Sequence, residues 1–179
     1  MSGATKTELE ALTSLAHAGA VQAAEAFAQL VGQGIEALDP IVAYGGSSAT
    51  VGDPAATGVF FELEGCLDAI IGIVFPARSS DALVRRIVGI ETGELEPPII
   101  ESALMEVGNI LASHVASAIA DRLGERLLPS IPTLAMSHAQ TELETFIERA
   151  VSPEAPRIES GLANADGTLS GYLVLAPVR

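Results

Sequence analysis

Apolar residues recur at helical spacing near the start of the chain, at Leu9, Leu12, Ala16, Ala20, Ala23, Phe27 and Leu30. Positions three and four apart share one face of a helix, so this pattern predicts an alanine-rich helix over residues 7–33. Gly32 and Gly34 end it, and Pro40 lies beyond. The period then changes. Residues 41–44 and 58–63 read as strands, separated by a connection rich in Gly, Ser, Asp and Pro. Residues 69–75 form a further apolar run, AIIGIVF, closed by Pro76. Ser79, Ser80 and Asp81 read as the cap of a short helix running through Val88, and residues 89–96 as a polar break.

Pro97 and Pro98 open the longest helical stretch, 98–124, which closes at Gly124. Residues 127–136 read as a strand interrupted by Pro129 and Pro132. Leu143, Phe146, Ile147 and Ala150 predict a short helix. Residues 157–162 and 168–176 predict a hairpin, turned by Asn164, Ala165, Asp166 and Gly167. Each half therefore starts with a long helix and passes to strands. One apolar strand ends GIVFP at residues 72–76, and the last strand ends GYLVLAP at 171–177. The expectation is a single α+β domain over residues 1–179 with an internal pseudo-twofold repeat, about 7–90 and about 97–178. Its two long helices should lie side by side on a mainly antiparallel β-sheet.

Composition narrows the picture. A chain of 179 residues is long enough for one domain with a proper core. Aromatics make up only 4% and tryptophan is absent, so Ala, Val, Ile and Leu must build that core. The net charge is −14 and Lys6 is the only lysine, which argues against nucleic acid and against an anionic membrane surface. Cys66 is the only cysteine, so no intrachain disulfide forms, as suits a reducing cytoplasm. No apolar run reaches about 18 residues and the N-terminus lacks an apolar signal core. A cytoplasmic protein without membrane insertion is expected. His114 and His138 have no cysteines or acidic ligands at metal spacing, so no metal site is expected.

Candidate chemistry gathers on the helix at 98–124. Ser102, Glu106, Asn109 and Ser113 share one face as a polar stripe, while Leu104, Leu111 and Val115 point the other way. Gly108 and Ala112 should keep the surface beside the stripe low enough for another protein to approach. An amide in such a stripe can accept a hydrogen bond from a water while donating to another acceptor. A carboxylate one turn away can pair with a cation on a partner. Hydrolysis of a phosphorylated aspartate needs little more, because the main task is to place a water in line with phosphorus.

The spacing resembles the helix motif of the CheC, CheX and FliY family of chemotaxis phosphatases. That motif has Asp or Ser, then Glu four positions on, Asn three further, and Pro twenty-three after that. Ser102, Glu106, Asn109 and Pro132 stand at those spacings, and the stretch ESALMEVGNILASHVASAIADRL is similar to the family's helix. CheC is the better match within the family. The resemblance implies a phosphatase that hydrolyses the phosphoaspartate of a CheY-type response regulator. Asn109 would position the attacking water, Glu106 would bind a lysine of the regulator, and Ser102 would support the start of the motif. The chain would need no cofactor of its own, because the regulator supplies Mg2+. CheD is implied as a further partner. CheC proteins often carry a second copy of the motif on their first helix, where this chain has Glu10, Ser14 and His17. Serine cannot supply the charge and histidine substitutes poorly for an amide, so that half is expected to be inactive. The alternative is a non-catalytic adaptor that binds CheD or the regulator.

Overall fold

The computed structural model describes residues 4–44 and 53–178. Most of the Gly/Ser/Asp/Pro-rich connection, at 45–52, lies outside the described residues. Helix α1 spans Lys6–Val31. Thr5 and Glu8 cap each other's backbone N–H groups at its start, a reciprocal arrangement that satisfies two donors left over by helix geometry. Gly32 ends it in the left-handed conformation that glycine adopts without a Cβ penalty. Helix α3, Pro97–Leu123, has a proline at its first turn and stops the same way at Gly124.

Between the two long helices lie four strands, β1 (Glu36–Ala37), β2 (Ile41–Tyr44), β3 (Thr57–Gly65) and β4 (Ala69–Phe75), and then α2 (Ala77–Val88). After α3 come β5 (Leu127–Pro129), β6 (Thr133–Ala135), α4 (Ala139–Glu148), β7 (Pro156–Ala163) and β8 (Ser170–Pro177). Pro129 and Pro132 split the expected strand at 127–136 into two short pieces, because proline cannot donate to a ladder. Every pairing among the described strands is antiparallel.

Strands β4 and β8 lie side by side at the centre of the sheet, with β3 flanking β4 and β7 flanking β8. Each edge is finished by short strands of the other half: β1 and β2 on β7, β5 and β6 on β3. The order therefore reads the same from both ends. The segment α1–β1–β2 corresponds to α3–β5–β6 without insertion, pairing Gly32 with Gly124, Ile35 with Leu127, Pro40 with Pro132 and Ala43 with Ala135. Burial follows suit: Ile35 and Leu127 are core, as are Ala43 and Ala135. The strand-end glycines singled out in sequence are not counterparts. A Cβ on Gly72 would strike Leu143 of α4, whereas one on Gly171 would meet Phe75 and Phe27 on the opposite face.

Two cores flank the sheet. On one face Val59, Phe61, Ile71, Ile73, Leu173 and Leu175 pack against α1 and α3. Alternate residues on the other face, including Phe60, Ile70, Val74 and Val174, pack against Ala139, Leu143 and Ile147 of α4. Helix α4 thus adds a third layer beyond the two-layer arrangement expected from sequence. Helix α3 is long and apolar enough to cross a membrane. Its apolar side is spent on the sheet and on α1, and its outer side is polar.

The cap expected from Ser79, Ser80 and Asp81 does not form. Helix α2 begins at Ala77, and both serines are buried inside it: Ser80 Oγ accepts from Thr57 and Ser79 Oγ from the Ser170 N–H. The acceptor for the Ala77 N–H is the carboxylate of Asp53, at 2.8 Å, which also accepts from Ala55. These backbone donors hold the Asp53 carboxyl below its ordinary value, the Ala77 bond most strongly. Its contribution to stability is present above the ordinary carboxylate range and is lost as pH falls through the lower folded value. Asp53→Ala is therefore expected to lower Tm at neutral pH. The gap from wild type should close in strong acid, and melting curves at the two pH values check this.

Candidate functional site

Helices α1 and α3 run antiparallel and touch closely where Gly19 meets Val115; a Cβ on Gly19 would lie 2.9 Å from Val115 Cγ1. Gly108 brings α3 down onto the sheet in the same way, since a Cβ there would fall 2.5 Å from Val59 Cγ1. This corrects the role expected of Gly108 and Ala112. Both are buried beneath the helix and serve packing rather than a partner's approach. Landing that face on the sheet turns the opposite face outward. Ser102, Glu106, Asn109 and Ser113 are all exposed. Among the described residues the side chains of Ser102, Glu106 and Asn109 have no hydrogen-bond or ion-pair partner. His114 is exposed too, and its Nδ1 lies 2.7 Å from the Ile110 carbonyl.

The first-half residues are placed differently. Glu10 is exposed and, among the described residues, forms only a 3.9 Å surface pair with Lys6. Ser14 Oγ accepts a 3.4 Å bond from Arg122, which reaches across from the end of α3. His17 is half-buried, and its Nδ1 is buried without a hydrogen-bond partner among the described residues. Glu10, Ser14 and His17 line a groove of about 580 Å³, and Asp39, Pro40 and Val42 form its other wall.

Sequence reasoning missed Pro40. It follows His17 at the spacing at which Pro132 follows Asn109, so the first half keeps the motif's proline although it lacks Glu and Asn. The groove shows what that proline does. The loop between the two short edge strands stands opposite the motif face of the helix. The β5–β6 loop, which carries Ile131 and Pro132, holds the corresponding place in the second half, and Leu134 just beyond it packs with Ala103 and Leu104 of the motif helix. Pro132 is half-buried and Ile131 is exposed.

Chemically, the second-half stripe offers a free carboxylate and a free amide on a rigid helix. Such a pair can grip a cation and orient a water, and it is accessible to a second macromolecule.

Residues 99–136 match the model of the CheC-like family, a stretch that contains all four motif positions. The CheY-P phosphatase CheC of Bacillus subtilis (strain 168) is 26% identical over 147 residues, covering 75% of this chain and 68% of that protein. Among solved structures, Thermotoga maritima FliY superposes with a TM-score of 0.71 at 17% identity, over 97% of this chain and 91% of that one. The CheX–CheY–BeF3–Mg2+ complex of Borrelia burgdorferi matches with a TM-score of 0.64 at 14% identity, over 90% of this chain and 96% of that one. The chain is thus similar in sequence to the CheC-like family across the stretch that holds the motif, and similar in fold to FliY and CheX.

Proposed function

We propose that this chain is a CheC-like phosphatase that hydrolyses the phosphoaspartate of a CheY-type response regulator, using one active site on α3. The observation that carries the reading is that Glu106 and Asn109 stand exposed one turn apart and unbonded among the described residues, on a helix whose other faces are packed. A pair with a structural role would be buried and bonded within the fold, and this one is neither. The named activity of the Bacillus relative and the regulator bound in the CheX complex support the same partner class.

In this reading the regulator brings its own Mg2+ and phosphoaspartate, and the chain contributes no cofactor. Asn109 accepts a hydrogen bond from a water and holds it in line with phosphorus. The water oxygen attacks, the bond from phosphorus to the aspartyl oxygen breaks, and the aspartate leaves as carboxylate. The proton lost by the water ends on the inorganic phosphate. Positioning of this kind needs no covalent intermediate on the phosphatase. Glu106 docks against a cation of the regulator, Ser102 supports the head of the motif, and Pro132 shapes the opposite wall. The first half, with Ser14 and His17 in place of Glu and Asn, contributes no turnover. CheD is a second partner by resemblance, and the cytoplasm is the compartment such a regulator requires.

The test is the decay of a purified phosphorylated CheY-type regulator with and without this protein. Faster decay supports the reading and an equal rate ends it. Glu106→Ala is expected to raise KM about tenfold, the scale of one charge-assisted bond, with a smaller change in kcat. Tight binding of the regulator or CheD without faster decay would instead mark an adaptor.

A further inference from the structure

Ile131 stands out on the surface of this protein. It is 86% exposed, far above the other large aliphatic side chains among the described residues. Exposure alone means little on a soft loop, but this loop is fixed. Pro129 precedes Ile131 by two positions and Pro132 follows it, each with a locked backbone φ. Ser130 between them is bonded in both directions to β3: its N–H donates to the Glu62 carbonyl at 2.8 Å, and its Oγ accepts from the Glu62 N–H at 2.9 Å. The Ser130 hydroxyl also donates to the Ile131 carbonyl at 3.0 Å. The side chain is therefore held out into solvent by a braced backbone.

The repeat supplies the second observation. Ile131 corresponds to Asp39, as Pro132 corresponds to Pro40. Asp39 sits on the wall of the first-half groove, opposite Glu10, Ser14 and His17. The half that has lost Glu and Asn carries a charge at this position, and the half that keeps Glu106 and Asn109 carries an apolar knob. The neighbouring surface is acidic, since Glu62, whose backbone Ser130 bonds, is exposed, as is Glu106 on the motif helix.

We infer that Ile131 is an apolar anchor for the phosphorylated regulator, filling a hydrophobic notch beside the partner's phosphorylation site while Glu106 meets a cation on the notch's rim. The inference rests on the proposed phosphatase reading and deepens it by naming the shape and charge of the surface the partner must present. A preorganised aliphatic group adds affinity at little ordering cost, because the loop is already fixed before binding. Anchors of this kind contribute most where surrounding polar contacts exclude water from them.

The experiment measures binding and turnover separately with one purified CheY-type regulator. Affinity is read by titrating the regulator in its Mg2+–beryllofluoride form, in which beryllofluoride stands in for the phosphoryl group. Turnover is read as decay of the phosphorylated form. Ile131→Ser is expected to weaken binding about tenfold or more and to raise KM alike, with kcat within twofold of wild type. Ile131→Leu should restore binding. Ile41→Ser, which removes another exposed aliphatic group on the opposite edge of the sheet, should leave binding unchanged. Because Ile131 is almost wholly exposed, the serine variant should melt with the wild type, which separates lost docking from lost folding. Binding of Ile131→Ser within twofold of wild type overturns the anchor whatever the decay assay shows. Equal weakening by Ile41→Ser, or no binding by the wild type, also overturns it. Wild-type binding without acceleration, still lost in Ile131→Ser, overturns the phosphatase reading and leaves the anchor supported.

Discussion

Asn109→Ala is expected to slow regulator dephosphorylation by about 10²-fold while leaving affinity for the regulator nearly unchanged. The amide does no covalent work in the proposed reaction. It holds one water against one phosphorus, and misplacing a reacting group by about 1 Å can cost on the order of a hundredfold. Alanine leaves a water free to enter the site but gives it no acceptor to fix its direction. The loss should fall on kcat, because the interaction is needed only as the reaction proceeds. Asn109→Asp asks a sharper question. It keeps an acceptor of the same length but loses the NH2 donor and brings a negative charge toward a phosphoryl group, so it should not rescue. Stopped-time assays of phosphoaspartate with wild type, both variants and no protein decide the matter. Decay with Asn109→Ala as fast as with wild type would remove the residue from the mechanism. Asn109 lies on the outer face of α3, so the variant should keep the wild-type melting temperature.

The largest expected loss of stability comes from the other side of the sheet. Arg157 on β7 is 4% exposed and Glu159 is 1% exposed. Arg157 forms a two-pronged pair with Glu144 of α4, at 2.9 and 2.7 Å, and its Nε donates to Glu159 at 3.1 Å. Tyr172 on β8 donates its hydroxyl to the second oxygen of Glu159. Burial works against the charge on Arg157, but Glu144 and Glu159 outweigh it and hold its pKa above the ordinary value. Burial also pushes the Tyr172 phenol up, helped by the carboxylate that accepts its proton, so it stays a donor.

Arg157→Met would leave two carboxylates facing each other under α4 without their cation. Removing one partner of a buried pair costs about 3–5 kcal/mol, because the remaining charge stays desolvated. For a chain of this size that corresponds to a fall in Tm on the order of 10 °C. Replacing Glu144, Arg157 and Glu159 together by apolar residues should recover most of the loss. Thermal or denaturant melts of the single and triple variants separate the two costs. A triple variant as unstable as the single one would mean that the network contributes net attraction rather than mutual neutralisation.

The two long helices, their glycine stops and the final hairpin were legible in the residues. They depend on local rules: a 3.6-residue apolar period, a left-handed glycine at the end, a turn of Asn, Asp and Gly. The polar stripe of Ser102, Glu106, Asn109 and Ser113 was legible for the same reason, because position along one helix determines which residues share a face. The start of α2 was misread because its cap is not local. Asp53 reaches it from another part of the chain, and nothing near Ala77 in sequence announces that.

What sequence could not decide was the role of Gly108 and Ala112, since small residues on a helix can leave room for a partner or for close packing within the fold. Tertiary structure decided it by seating Gly108 on Val59, and that contact is what leaves Glu106 and Asn109 free in solvent. The charge network around Arg157 and the outward thrust of Ile131 were decided in the same way. Each depends on which distant strands lie side by side, and register between strands is set by the whole sheet rather than by any short stretch of chain.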